Sequence, residues 1–202
     1  MTKSQRDGIA NPPAGLFIWC TDCSAFGEAQ FFNGIFWMTL ASSTTGIGQS
    51  FQGGIIAYIL QPGDPGYDAN VPHGLIAAPA DQGNAIEWGC YSISISGADG
   101  TALGTGNQNT IDIINGCPTA GIAAKVCSDL VLGGYSDWFL PSDDELEKLY
   151  ISREAIGGFT GEFYWASTEA NEWSGSGFGF ASGNPGISLK DNPWSVRAIR
   201  AF

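Results

Sequence analysis

The sequence predicts an α+β fold: short, mostly antiparallel strands with three or four helices set among them. Three observations carry this. Short apolar runs recur between clusters of Gly, Pro, Asn, Asp and Ser, which is the pattern of brief strands joined by tight turns. Two stretches show helical spacing instead, Ile122, Ala123, Val126, Cys127 and Leu130 in one and Leu146, Leu149 and Tyr150 in the other. The order of these elements has no regular strand–helix–strand rhythm, which argues against a doubly wound parallel sheet. Charged residues make up only 14% of 202 residues, and 29 are glycine. That balance fits a loop-rich extracellular domain better than a cytosolic helical enzyme.

In chain order, Thr2 and Gln5 are spaced as a capping box for a short helix running to Ile9, which Asn11-Pro12-Pro13 ends. Residues 16–19 read as a strand. Residues 30–37 read as a hairpin, with Asn33-Gly34 supplying the positive φ values of a type I′ turn. Residues 1–41 carry more aromatic side chain than a helix and a hairpin hide by themselves. They form a first segment, joined by a small polar linker at 41–46 to a head domain over 47–202. There, 53–60 is a buried strand paired with 74–78 across a turn-rich loop at 61–70. Residues 85–90 form another strand, and 110–115 and 120–132 form helices.

The organising stretch is Gly133-Gly134-Tyr135-Ser136-Asp137-Trp138-Phe139-Leu140-Pro141-Ser142-Asp143-Asp144-Glu145-Leu146. A glycine turn leads into an aromatic strand that Pro141 stops. Ser142 then caps a helix, with Glu145 at the reciprocal capping-box position and Asp143 and Asp144 at the positive end of the helix dipole. Residues 138–146 resemble the Asp-Trp-Arg-Leu-Pro-Thr-x-x-Glu-Leu signature of the Lcl C-terminal domain family, named for a bacterial collagen-like adhesin. Tyr164-Trp165-Ala166-Ser167-Thr168 resembles that family's Tyr-Trp-Ser-Ser-Thr element, and Val196-Arg197-Ala198-Ile199-Arg200 its closing strand. The resemblance covers roughly residues 50–202. It implies a C-type-lectin-like fold, shared with formylglycine-generating enzymes. Residues 2–37 are similar to a phage and bacterial fibre module that precedes a head domain, and this similarity implies a homotrimer.

The net charge of −12 argues against nucleic acid, anionic membrane surfaces and sulfated glycans as partners, and favours neutral glycans, proteins or cations. Residues 1–7 lack the apolar core of a signal peptide, and no run approaches the ~18 apolar residues of a spanning helix, so no membrane insertion is expected. Five cysteines is an odd count. Cys20 and Cys23 form a Cys-x-x-Cys pair, but zinc would require a second close pair, and the only histidine, His73, stands alone. The family resemblance pairs a cysteine at the position of Cys127 with one in the last strand. Ala198 occupies that second position, so Cys127 pairs with Cys117 or Cys90 or stays free.

No catalytic constellation is legible. Gly104-Thr105-Gly106-Asn107 lacks the third glycine of a dinucleotide fingerprint and reads as a loop leading into the helix at Thr110. His73 has no motif-borne nucleophile beside it and reads as a structural residue at a strand start. Nothing after Cys127 is cysteine, so the redox chemistry of formylglycine-generating enzymes is not carried over. No cofactor is expected beyond a structural calcium, for which Asp64, Asp68 and Asn70 offer oxygen ligands; their spacing matches no EF-hand, and a solvated turn is the other reading.

The most suggestive surface is 171–194. Asn171, Glu172, Trp173, Ser174, Ser176, Asn184, Lys190, Asp191, Asn192 and Trp194 mix aromatic platforms with short polar groups, the chemistry of sugar stacking or of a protein hot spot. Phe178 and Phe180 share one strand face and are assigned to packing, as are Trp138 and Trp165. The expectation is a non-enzymatic, extracellular adhesin or receptor-binding head on a fibre, recognising a cell-surface glycan or protein. A structural fibre or capsid decoration protein and an enzyme of the formylglycine-generating type are the alternatives.

Overall fold

The computed structural model describes residues 1–23, 28–32, 37–40 and 46–202, with the backbone alone at 28 and 38–40. The chain is mixed α+β, with five helices and twelve short strands among the described residues, nearly all paired antiparallel. It divides into two compact units, Met1–Thr45 and Gly46–Phe202.

In the first unit, Thr2 caps α1 (Lys3–Asp7) and Gln5 returns the bond, so both halves of the capping box form. The helix stops at Asp7, two residues before the expected end. The strands β1 (Phe17–Cys20), β2 (Glu28–Phe32) and β3 (Trp37–Leu40) form an antiparallel sheet in that order. The expected Asn33-Gly34 turn and most of the linker lie outside the described residues. On β1, Phe17 and Trp19 alternate with buried or half-buried neighbours and are 64% and 56% exposed. Cys20 and Cys23 form a disulfide.

In the second unit, β4 (Ser50–Phe51), β5 (Gly54–Ile59) and β6 (Gly74–Ala77) build one sheet, completed by β12 (Ile199–Ala201) beside β6. A second sheet has the order β10-β9-β8-β11-β7. Its strands are β7 (Gly83–Ile86), β8 (Phe163–Asn171), β9 (Ser174–Gly179), β10 (Asn184–Leu189) and β11 (Trp194–Val196). β11 lies parallel to β8, the one parallel pairing among the described strands. β7 ends before the expected Cys90 because Gly89, Cys90 and Ser92 all take positive φ, which no extended strand tolerates.

The helices are α2 (Gly106–Gly116), α3 (Ala123–Ser128), α4 (Asp143–Ile151) and α5 (Arg153–Ile156). α3 is shorter than its apolar pattern suggests. Gly121 at φ 77° blocks its start, and at its other end the chain turns through Gly133 and Gly134, both at positive φ. The two halves of the α4 capping box form: Ser142 Oγ accepts from the Glu145 amide, and a Glu145 carboxylate oxygen accepts from the Ser142 amide at 2.8 Å. α4 packs against β8, β9 and β5, so the signalled helix bridges both sheets.

The core explains the glycine-rich strand Ser174-Gly175-Ser176-Gly177-Phe178-Gly179. Its odd-numbered positions face aromatic rings that lie on the sheet. A Cβ at Gly177 would stand 2.7 Å from the Trp194 ring, and one at Gly175 would stand 2.6 Å from Trp88. Its even positions face α4, where Phe178 joins Phe180, Tyr164, Leu146 and Leu149. Trp138 and Trp165 are buried in the other cluster with Trp88 and Ile76. Three buried arginine and lysine side chains tie the layers together. Arg197 pairs with Asp81 at 2.7 Å and donates to the carbonyls of Ala78 and Gly157, its plane over the Phe159 ring. Arg200 makes a bidentate pair with Asp137, both distances 2.8 Å. Lys190 pairs with Glu169 under Trp88.

Candidate binding site

The start of α4, the strands β9 and β10 and the loop before α2 enclose a groove of about 630 Å3. Asp143 lines it, placed there because Ser142 fixes the first turn of α4. Ser176 Oγ donates to Asp143 Oδ1 at 2.5 Å, with the Thr168 carbonyl at 2.9 Å as a second acceptor in reach. The Asp143 amide donates to Thr168 Oγ1, which in turn donates to the Gly100 carbonyl at 2.9 Å. Asp99 and Thr101 add polar lining, and Pro185 and the well-exposed Ile187 add apolar lining. A recess of about 220 Å3, lined by Asp143, Asp144, Glu147 and Phe178, continues the groove along α4. Among the described residues lining groove and recess, none is basic.

Burial pushes the Asp143 carboxyl above its ordinary range, the Ser176 bond opposing and the neighbouring Asp144 charge adding to the rise. The groove presents acidic side chains, hydroxyl oxygens and apolar surface. These groups match the hydroxyls and C–H faces of a neutral sugar, or the amides and cationic side chains of a protein loop.

A second exposed feature lies at the β8–β9 turn. Asn171 Oδ1 accepts from the Trp173 amide at 2.9 Å, an Asx turn that holds Trp173 outward. Trp173, 45% exposed, meets Tyr91 edge to face with ring centroids 5.2 Å apart. The Cys90–Cys117 disulfide anchors the Tyr91 loop, and the buried Lys190 donates to the Ile93 carbonyl at 2.7 Å beneath it.

The ten residues expected to share one binding face are not brought together. Asn171, Glu172, Trp173 and Ser174 meet Lys190, Asp191 and Asn192, since the Lys190 amide donates to the Trp173 carbonyl at 2.9 Å. Lys190 itself is fully buried and belongs to the interior, because its ammonium finds Glu169, the Ile93 carbonyl and the Trp88 ring inside. Ser176 is buried and contributes to the groove. Asn184 stands at the opposite end of the β9–β10 ladder from Ser174. Trp194 is half-buried, stacked at 5.0 Å on Phe163 and tilted against Trp165 at 4.2 Å. Sequence reasoning missed Asp99, Thr101, Asp143, Thr168, Pro185 and Ile187 in the groove, and Tyr91 beside Trp173; for Asp99, Thr101 and Tyr91 the signal was the Ser- and Gly-rich run at 92–101, turn chemistry that places polar groups on a surface loop.

In the 61–70 loop, Asp64 Oδ2 accepts from Tyr58 Oη and the Gln61 amide, each at 2.7 Å, and Asp68 Oδ1 accepts from the Asn70 amide at 2.7 Å. Both carboxylates are held below the usual range, by the backbone donors first. Among the described residues, the one cluster of three metal-ligating side chains is Cys20, Asp22 and Cys23, and both of its sulfurs are spent in the disulfide. Cys127 is free and fully buried, its thiol pushed up by burial and inert. His73 Nδ1 lies 3.1 Å from the Phe202 carbonyl. Among the described residues no helix is long and apolar enough to cross a membrane.

The chain matches no family model, and no curated protein matches it.

Proposed function

We propose that residues 46–202 are a non-enzymatic receptor-binding head of the Lcl C-terminal type, with a C-type-lectin-like fold, recognising a neutral glycan or a protein on a cell surface. The carrying observation is the groove at Asp143, whose lining combines acidic and hydroxyl side chains with Pro185 and Ile187 and has no basic residue. The aromatic pair Tyr91–Trp173 is a further contact, since rigid exposed rings bind sugar faces and protein pockets at low entropic cost. The family reading is supported by the packing roles of its motif residues: Trp138 and Trp165 in the core, Arg197 in a buried ion pair with Asp81, and the buried Arg200 side chain reaching the exposed Asp137.

The same reading makes residues 1–45 a trimerising segment that carries the head on an extracellular fibre. Phe17 and Trp19, exposed on one face of β1, are the apolar surface that neighbouring copies would cover. Screening the full chain against glycan arrays and intact bacterial surfaces tests the function. Capture of a glycan class or a cell type supports it; silence on both, alongside turnover of a thiol or peptide substrate, overturns it.

A further inference from the structure

In the first unit, Cys20 and Cys23 close a disulfide across Thr21 and Asp22, a sequence separation of 3 against 27 for Cys90–Cys117. A cross-link that short removes the least freedom from the unfolded chain. Chain entropy therefore gives it the smaller structural role of the two.

The two sulfurs stand in unlike surroundings. Cys20 is fully buried, with Asp22 Oδ1 3.6 Å from its Sγ, and the Lys3 amide donates to the same carboxylate oxygen. Cys23 is half-buried, and Arg6 Nη1 points at its Sγ from 3.6 Å. Arg6 is fixed in that position: Nη1 also donates to Gln30 Oε1 at 2.7 Å, and Nε donates to Asp7 at 2.7 Å. The partly accessible sulfur thus faces a cation, and the enclosed one faces a carboxylate. A guanidinium beside a cysteine favours its thiolate, which is the nucleophile in disulfide exchange. A carboxylate beside the enclosed cysteine can take up its proton instead.

We propose that Cys20–Cys23 is an exchange-active disulfide for low-molecular-weight thiols, with Cys23 the sulfur that exchanges, Cys20 the one that resolves, and Asp22 the group that moves the Cys20 proton. The thiolate of a first thiol attacks Cys23 Sγ, the bond to Cys20 breaks, and Cys20 leaves as a thiolate that Asp22 reprotonates. A second thiolate attacks the outer sulfur of the mixed disulfide, releasing the oxidised thiol and a Cys23 thiolate beside Arg6. Two thiols are oxidised to one disulfide, and the protein disulfide is reduced to two cysteines. In reverse, the Cys23 thiolate attacks a small disulfide and expels one thiolate. Cys20 then gives its proton to Asp22 and attacks Cys23 Sγ, expelling the second. The exchange is stoichiometric and confined to the first unit.

The test places the full chain in buffers of graded reduced-to-oxidised glutathione ratio, alkylates free thiols at intervals and locates them by peptide mass. Cys20–Cys23 is expected to open while Cys90–Cys117 stays closed, and glutathione trapped on the way is expected on Cys23. Arg6→Gln should slow alkylation of reduced Cys23 at neutral pH by roughly threefold or more, since losing the charge removes thiolate faster than it adds nucleophilicity. Arg6→Lys keeps the charge and should keep most of the parent rate. When oxidised glutathione is added to reduced Asp22→Asn, the adduct on Cys23 should outlast that of the parent. The proposal is overturned if Cys90–Cys117 opens first or if glutathione is found on Cys20, readings that need only the parent chain. It is equally overturned if Arg6→Gln reacts as the parent does, or if the Asp22→Asn adduct is as short-lived as the parent's.

Discussion

Lys190 and Glu169 form an ion pair whose side chains are 0% and 7% exposed, roofed by the Trp88 ring 4.6 Å from the ammonium. The Ile93 carbonyl and the Ile95 amide satisfy the remaining capacity of each partner. Removing one member strands a buried charge, so Lys190→Ala is expected to cost about 3–5 kcal/mol of stability. In Lys190→Met with Glu169→Gln both charges are gone, and at least half of that loss should return. Chemical denaturation of the three proteins checks this. A Lys190→Ala variant as stable as the parent would contradict the pair's structural role.

The tryptophans divide in the same way. Trp138 is 2% exposed in the larger core cluster, and Trp138→Ala should cost about 3–5 kcal/mol. Trp173 touches Tyr91 at the surface, and Trp173→Ala should change stability by no more than about 1 kcal/mol. It should nevertheless weaken capture of the receptor. Thermal melts and binding measured on both variants decide between these roles, and a severely destabilised Trp173→Ala protein would reverse them.

These contrasts show what the sequence makes legible. The capping box at Ser142 and Glu145 is a local signal, complete within one helical turn, and it forms as read. Phe178 and Phe180 follow strand periodicity, and Trp138 and Trp165 sit in apolar strand context, so all four are buried as expected. Lys190 is different: within a polar run it looks exposed, and only Glu169, 21 residues away, makes its burial tolerable. Tyr91 beside Trp173, and Asp99 in one groove with Asp143, are juxtapositions made by sheet topology, which no local pattern encodes. A contiguous run such as 171–194 does not reveal that Ser176 reaches Asp143 on the α4 side of the sheet while the Trp194 ring lies over Gly177 on the other.

The acidic groups give opposite pH dependences. Burial holds the Glu145 carboxyl above its ordinary value of 4.5, against the opposing backbone bonds from Ser142 and Gly104. The folded state then binds this proton more readily than the unfolded chain, so stability from this group rises as pH falls through the raised value and levels off below the ordinary one. Asp137, lowered first by its bond to Arg200, acts the other way: its contribution is present above the ordinary carboxylate range and lost as pH falls through the depressed value. Glu145→Gln should remove the first contribution, so that variant's stability should fall more steeply on acidification than the parent's. Denaturation midpoints taken from neutral pH to about pH 4 measure the difference; identical slopes would contradict it.

Assembly is tested by light scattering on the full chain and on a chain beginning at Gly46. The full chain is expected to be a trimer and the shortened one a monomer, with Phe17→Ser combined with Trp19→Ser in the full chain shifting it toward monomer. A monomeric full chain at micromolar concentration, or a trimer that survives removal of residues 1–45, would contradict the proposal.

The groove at Asp143 is the proposed receptor site. Asp99 and Ile187 are both exposed lining residues, so Asp99→Ala with Ile187→Asp should leave folding within about 0.5–1 kcal/mol of the parent. The decisive measurement is the titration of the best-captured glycan or bacterial surface against parent and double variant at matched oligomeric state. The double variant is expected to lose at least tenfold in affinity with an unchanged melting temperature; equal affinity in the two proteins would place the receptor elsewhere.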